Sequence, residues 1–254
     1  MLAAKEFEAE ARRITDAAKN KNVMLRLLGA LAIRSHCPKY NYLHEDMKRA
    51  YTDLDFAAYR KQNDEILKLL TSLGYSYDFR IVAIYGASRV ILENNSTHMK
   101  VDIFYDKLEF CHTIDFAKNH RLEVDYPTIS VSDLLLEKMQ IVNITEKDII
   151  DTYILLVEHD VGNTDTNVFN MDYLTRLLSQ DWGFYYTVTR NLAKVKESLL
   201  KNDKIPTSER TSAANKIDAM VDAIEKAPKS ASWKIRARVG PSRKWYKDVE
   251  EVIR

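Results

Sequence analysis

The chain has 254 residues, 46% of them hydrophobic, enough to bury one large core or two modest ones. Thirty-eight basic residues against thirty-seven acidic leave a net charge of +1, so bulk charge argues neither for nor against a nucleic-acid partner. The isolated Cys37 and Cys111 argue against a disulfide scaffold, and neither MLAAKEFEAEARR nor VMLRLLGALAI, interrupted by Arg26, reads as a signal peptide or membrane span; a cytoplasmic protein is expected.

Residues 2 to about 20 read as an amphipathic helix, with Phe7, Ala11, Ile14 and Ala18 at helical spacing among charges. VMLRLLGALAIRSHC reads as a strand that reaches Gly29 and turns into a helix, and the polar, aromatic PKYNYLHEDMKRAY as a loop ahead of a TDLDF strand. Tyr59, Ile66, Leu67, Leu70 and Leu73 then mark one face of a helix that stops at Gly74. Residues 78 to 129 hold short β-branched and aromatic runs, FRIVAIYG, RVILE, MKVDIFYD, LEFCHTIDF and LEVDYPTISV, expected to be adjacent antiparallel strands. Beyond them the pattern turns helical through VSDLLLEKMQIV, KDIIDTYILLVEH, MDYLTRLLS, WGFYYTVTRNLAKVKESLLK and SERTSAANKIDAMVDAIEKA. The order predicts an α+β chain with a core over 1–130, a helical domain over 131–225 and a basic, aromatic tail over 226–254.

The chemistry centres on TDLDF. In a strand Asp53 and Asp55 share a face about 7 Å apart, while Leu54 and Phe56 point to the other side. Like charges so placed repel unless a cation lies between them. KVDIFYD places Asp102 in a second strand, between Val101 and Ile103, with Asp106 a competitor for the same role. Three such carboxylates can hold two Mg²⁺ ions, with Mn²⁺ an alternative, one activating an attacking hydroxyl and the other holding a triphosphate. Gly29-Ala30, at a strand-to-helix junction, would let backbone N–H groups approach a phosphate.

Gly29-Ala30, Arg49, Thr52, Asp53, Asp55 and Val101-Asp102-Ile103, in that order, resemble the nucleotidyltransferase fold of the DNA polymerase beta superfamily, and more particularly the AbiEii-like toxin nucleotidyltransferases. LLLEKMQI supplies the family's later lysine as Lys138, and EKDIIDTY supplies Lys147, Asp148 and Asp151. The resemblance covers roughly residues 23 to 157 and implies a mixed sheet flanked by helices, followed by a helical C-terminal region. It implies Asp53 and Asp55 as metal ligands, Asp102 as third ligand or general base, and Lys138 as the group that stabilises triphosphate charge. Gly29, Ala30, Arg49, Thr52 and Asp148 would serve the nucleotide. Two departures stand out: Gly-Ala replaces Gly-Gly or Gly-Ser, and Arg49 lies three residues before Thr52 rather than two.

Other motifs are weaker. YGASRV, with Gly86, Ser88 and Arg89, reads as a hairpin turn that sets Arg89 near a triphosphate; the six histidines lack i, i+4 metal spacing, and no P-loop occurs. From Lys226 to Lys247 there are eight Lys or Arg residues, no Asp or Glu, and the aromatics Trp233, Trp245 and Tyr246. That composition suits phosphate contact and base stacking, or equally an arm packed down by its tryptophans. The expected activity is Mg²⁺-dependent transfer of NMP from an NTP onto an acceptor, with pyrophosphate released; RNA or a tRNA end is favoured, with a small metabolite or a protein hydroxyl as the alternatives. A toxin role with an antitoxin partner follows from the resemblance alone. The alternative is a catalytically idle nucleotide- or RNA-binding module.

Overall fold

A computed structural model of the chain describes residues 4–47, 50–78 and 88–249. Helix α1 (Ala4–Asn20) forms where the spacing predicts it, with Phe7, Ala11, Ile14 and Ala18 as one buried stripe. The chain enters β1 (Leu25–Leu28) and passes at Gly29 directly into α2 (Gly29–His36). The stretch expected as a loop contains a short helix, α3 (Tyr42–Asp46), which buries Leu43 and His44. Strand β2 (Asp53–Ala58) leads to α4 (Asn63–Ser72), which stops before Gly74, a residue at φ +92 that accommodates the left-handed exit. Next come β3 (Tyr75–Ser76), β4 (Arg89–Asn94) and β5 (Lys100–Tyr105).

These strands build one mixed sheet in the order β1-β2-β5-β4-β3. Among the described residues, β2 and β5 are the one parallel pair within it; the other described neighbours are antiparallel. The antiparallel expectation for residues 78 to 129 therefore holds for β4 with β5. LEFCHTIDF divides into a hairpin of β6 (Lys107–Glu109) and β7 (Thr113–Asp115). LEVDYPTISV is not a strand: a 3-10 turn over Arg121–Glu123 runs into it, it has a cis Tyr126–Pro127 bond, and it meets β1 at a Leu27–Thr128 bridge and through the Arg26 side chain, which donates to the Asp125 carbonyl. A proline, lacking an N–H, does not sustain a ladder there. FRIVAIYG lies outside the described residues.

Contacts divide the chain into two units. The first comprises Met1–Ser35, Arg49–Leu108 and Ile114–Ser130; the second comprises His36–Lys48, Glu109–Thr113 and Val131–Arg254. In the first unit α1 packs on β1, β2 and α4. The fully buried Leu54 and Phe56 lie across from Val101 and Ile103, which in turn face Leu92 and Val90, giving the sheet one continuous apolar face.

The second unit is helical: α5 (Val131–Met139), α6 (Glu146–Glu158), α7 (Met171–Leu178), α8 (Trp182–Lys201), α9 (Thr207–Lys226) and α10 (Ala231–Val239). Thr145 and Asp148 form a capping box on α6, and Asn170, Asp181 and Ser230 cap α7, α8 and α10 by accepting from backbone N–H groups. Helices α6, α8 and α9 pack against one another, and α5 against α6. Among the described residues no helix is long and apolar enough to cross a membrane.

Two predictions follow from this packing. Phe56→Ala removes a fully buried ring from the centre of the sheet and is expected to cost about 3–5 kcal/mol of unfolding free energy in a urea titration. In the second unit, burial pushes the His112 and His159 imidazoles down to about 4. Both are neutral when folded and take up protons on unfolding between about pH 6.5 and 4. Their share of stability is whole above pH 6.5 and is expected to fall away as pH drops toward 4, read from urea midpoints across that window.

Candidate functional site

The site grows from one register. Strands β2 and β5 pair so that Asp55 lies directly beside Asp102, and Asp53 precedes Asp55 on the same face. One carboxylate oxygen from each of Asp53, Asp55 and Asp102 lies within 4.8 Å of the others. Asp53 and Asp55 are half-buried and Asp102 is buried. A hard divalent ion with bonds of 2.0–2.6 Å spans oxygens up to about 4–5 Å apart, and three carboxylates suit Mg²⁺, Mn²⁺ or Ca²⁺ rather than a thiophilic metal. The donor set therefore fits such an ion.

The neighbours of the triad sort themselves by distance. Asp106, the alternative third carboxylate, is not in the cluster. Strand β5 ends at Tyr105, and Asp106, at φ +60, breaks the alternation and accepts a hydrogen bond from the Arg60 N–H at 3.1 Å. Thr52 donates its hydroxyl proton to Oδ1 of Asp53 at 2.9 Å. Gly29 takes φ +77 at the turn from β1 into α2, and a Cβ there would come within 3.0 Å of Oδ2 of Asp55. The start of α2, Gly29-Ala30, thus lies against the carboxylates. Arg49 lies outside the described residues, as does Gly86.

Arg89, expected near a triphosphate, opens β4 and contacts the triad directly. Its Nε donates to Oδ1 of Asp102 at 2.9 Å and its Nη2 donates to Oδ2, a two-pronged contact. Burial works against its charge, but the hydrogen bonds to Asp102 and the charges of Asp102, Asp55 and Asp53 outweigh it and hold the guanidinium above its ordinary value. The signal was present in RVILE followed by KVDIFYD, but it needs the β4–β5 register, in which Arg89 faces Phe104 and Ile91 faces Asp102.

Lys138 and Asp148 belong to the second unit and form a cluster of their own. The Lys138 side chain is only 9% exposed, and its Nζ lies 3.2 Å from Asp151, 3.4 Å from Glu137 and 3.8 Å from Asp148. The other oxygen of Asp151 lies 3.3 Å from Nε2 of His44, with both side chains fully buried. Asp148 serves the α6 capping box as well, accepting from the Thr145 N–H and hydroxyl. His44 had no sequence signal, being a lone histidine in a polar stretch.

The basic C-terminal segment is largely committed to its own unit. Trp233 packs edge-on against Tyr185 and Trp245 against Tyr186, and Trp245 donates its indole N–H to Thr187 at 3.0 Å. Lys226 pairs with Asp222, Lys244 with Asp248 and Lys247 with Glu109, while Arg236 donates to backbone oxygens of Gly240 and Arg243 and lies over Trp182. Exposed cations in this segment include Lys234, Arg238 and Arg243.

No family model matches the chain, and no curated protein matches it. Among solved structures, the chain is similar to the antibiotic-resistance factor ANT(2'')-Ia, studied in solution: 13% identity, covering 70% of this chain and 96% of that one, with a TM-score of 0.43.

The close approach at Gly29 yields a test. Gly29→Ala puts a side chain on a left-handed backbone and against Asp55; it is expected to lower stability by about 1–2 kcal/mol, measured by urea denaturation.

Proposed function

We propose that the protein is a divalent-cation-dependent nucleotidyltransferase that moves NMP from an NTP to an acceptor hydroxyl and releases pyrophosphate. The observation that carries this reading is the convergence of Asp53, Asp55 and Asp102 to within 4.8 Å on one sheet face. The glycine turn at Gly29, pressed against Asp55, supports it.

Asp53, Asp55 and Asp102 would hold the cation, Mg²⁺ being the expected one. When bound there, the cation supplies Lewis-acid activation of the acceptor hydroxyl and neutralises triphosphate charge. The chain's own groups do the rest. Thr52 fixes the rotamer of Asp53 through its hydroxyl. The absent side chain of Gly29 lets the turn into α2 approach Asp55, and the N–H groups at the start of α2, from Ala30 onward, would serve as phosphate donors. Asp102 completes the set as third ligand. Lys138, held by Asp151, Glu137 and Asp148, offers a positive charge that the sequence resemblance assigns to the triphosphate. RNA is the acceptor this reading favours, with Lys234, Arg238 and Arg243 as the exposed phosphate contacts. In keeping with the AbiEii-like resemblance, such transfer would suit a toxin restrained by an antitoxin.

Purified protein with Mg²⁺, each α-labelled NTP in turn and cellular RNA is expected to label one RNA class. Asp55→Asn is expected to reduce labelling to background. Equal labelling by Asp55→Asn would overturn the mechanism, and polynucleotide binding with no transfer from any NTP would favour an idle binding module.

A further inference from the structure

The carboxylate triad carries a counter-ion of its own. Across this face of the sheet, Asp53 and Asp55 come from β2, Asp102 from β5 beside them, and Arg89 from β4 on the far side of Asp102. The Arg89 side chain is 16% exposed and that of Asp102 4%. The guanidinium lies over the ring of Phe104, its direct cross-strand partner, at 4.9 Å, which fixes its reach toward Asp102. Both Asp102 oxygens accept from it. Asp55 lies directly beside Asp102 on the same face, so a charge held at Asp102 sits next to the other two carboxylates as well.

Resting on the metal-site reading above, we propose that Arg89 is the built-in counter-ion of the triad, which keeps the three carboxylates assembled without a metal and sets how weakly they take a free divalent cation. The reasoning is electrostatic. Three close carboxylates need positive charge, and a fixed guanidinium supplies part of it in advance. A dication arriving at Asp102 then meets a cluster already partly neutralised and a fixed like charge bonded to its ligand. Arg89 is a positioning residue in this role: it acts through Asp102. Removing its charge is expected to loosen the metal-free protein and tighten its hold on the cation. A residue that only packed the sheet would give the first effect without the second.

The test is calorimetric titration of MnCl₂, without nucleotide, into chelator-treated wild type, Arg89→Gln, Arg89→Lys and Asp55→Asn, with melting temperatures measured with and without Mn²⁺. Arg89→Gln is expected to bind Mn²⁺ at least about tenfold more tightly than wild type, to melt lower without metal, and to gain more from Mn²⁺ than wild type does. Arg89→Lys, which keeps the charge, is expected to bind as wild type does. Mn²⁺ bound no more tightly by Arg89→Gln than by wild type, with binding lost in Asp55→Asn, would overturn the role of Arg89 and leave the metal site standing. No Mn²⁺ binding by wild type or Arg89→Gln would overturn the metal reading, and this inference with it. Should Arg89→Gln fold only when Mn²⁺ is present, exchange of one counter-ion for another is shown directly; if Mn²⁺ does not restore it, the proposal fails.

Discussion

Everything at the candidate site depends on a repulsion that the backbone imposes. Parallel pairing of β2 with β5 sets Asp55 beside Asp102, and strand alternation adds Asp53 to the same face. Main-chain hydrogen bonds fix that register, so the carboxylates cannot retreat from one another except by rotating. The surrounding groups respond to that constraint. Arg89 answers the charge, Thr52 satisfies an oxygen, and Gly29 gives Asp55 room that a side chain would deny it.

The same alternation lets one strand serve two ends. Leu54 and Phe56, interleaved with the aspartates, point into the apolar face and are fully buried. Burial on that side anchors β2, and the anchored strand holds its charges where free side chains would drift apart. Lys138 in the second unit follows a related rule: its buried Nζ is ringed by the carboxylates of Asp151, Glu137 and Asp148.

The pattern in the sequence that proved readable was local. The D-x-D spacing places two carboxylates on one face from the strand period alone, and the stripe of Phe7, Ala11, Ile14 and Ala18 marks α1 from the helical period. What stayed hidden depends on distant partners or on single backbone angles. The choice between Asp102 and Asp106 turns on a strand that ends at Tyr105 and a left-handed φ at Asp106, neither visible in KVDIFYD. The pairing of Arg89 with Asp102 needs the register between two strands. The carboxylates that surround Lys138 come partly from its own helix, as Glu137, and partly from α6, as Asp148 and Asp151, so their convergence needs α5 and α6 packed together. The short helix α3 was obscured because the polar composition of its neighbourhood outweighs its few apolar residues.

The interleaving of the two units along the chain bears on how the protein is made. Residues His36–Lys48 belong to the second unit yet leave the ribosome before most of the first. His44 meets Asp151 only after about a hundred further residues, which at bacterial or eukaryotic elongation speeds is about 5–20 s of synthesis. The sheet, by contrast, has all its strands once Tyr105 has emerged. During translation the nascent chain therefore carries an early segment, including Leu43 and His44, whose permanent neighbours do not yet exist.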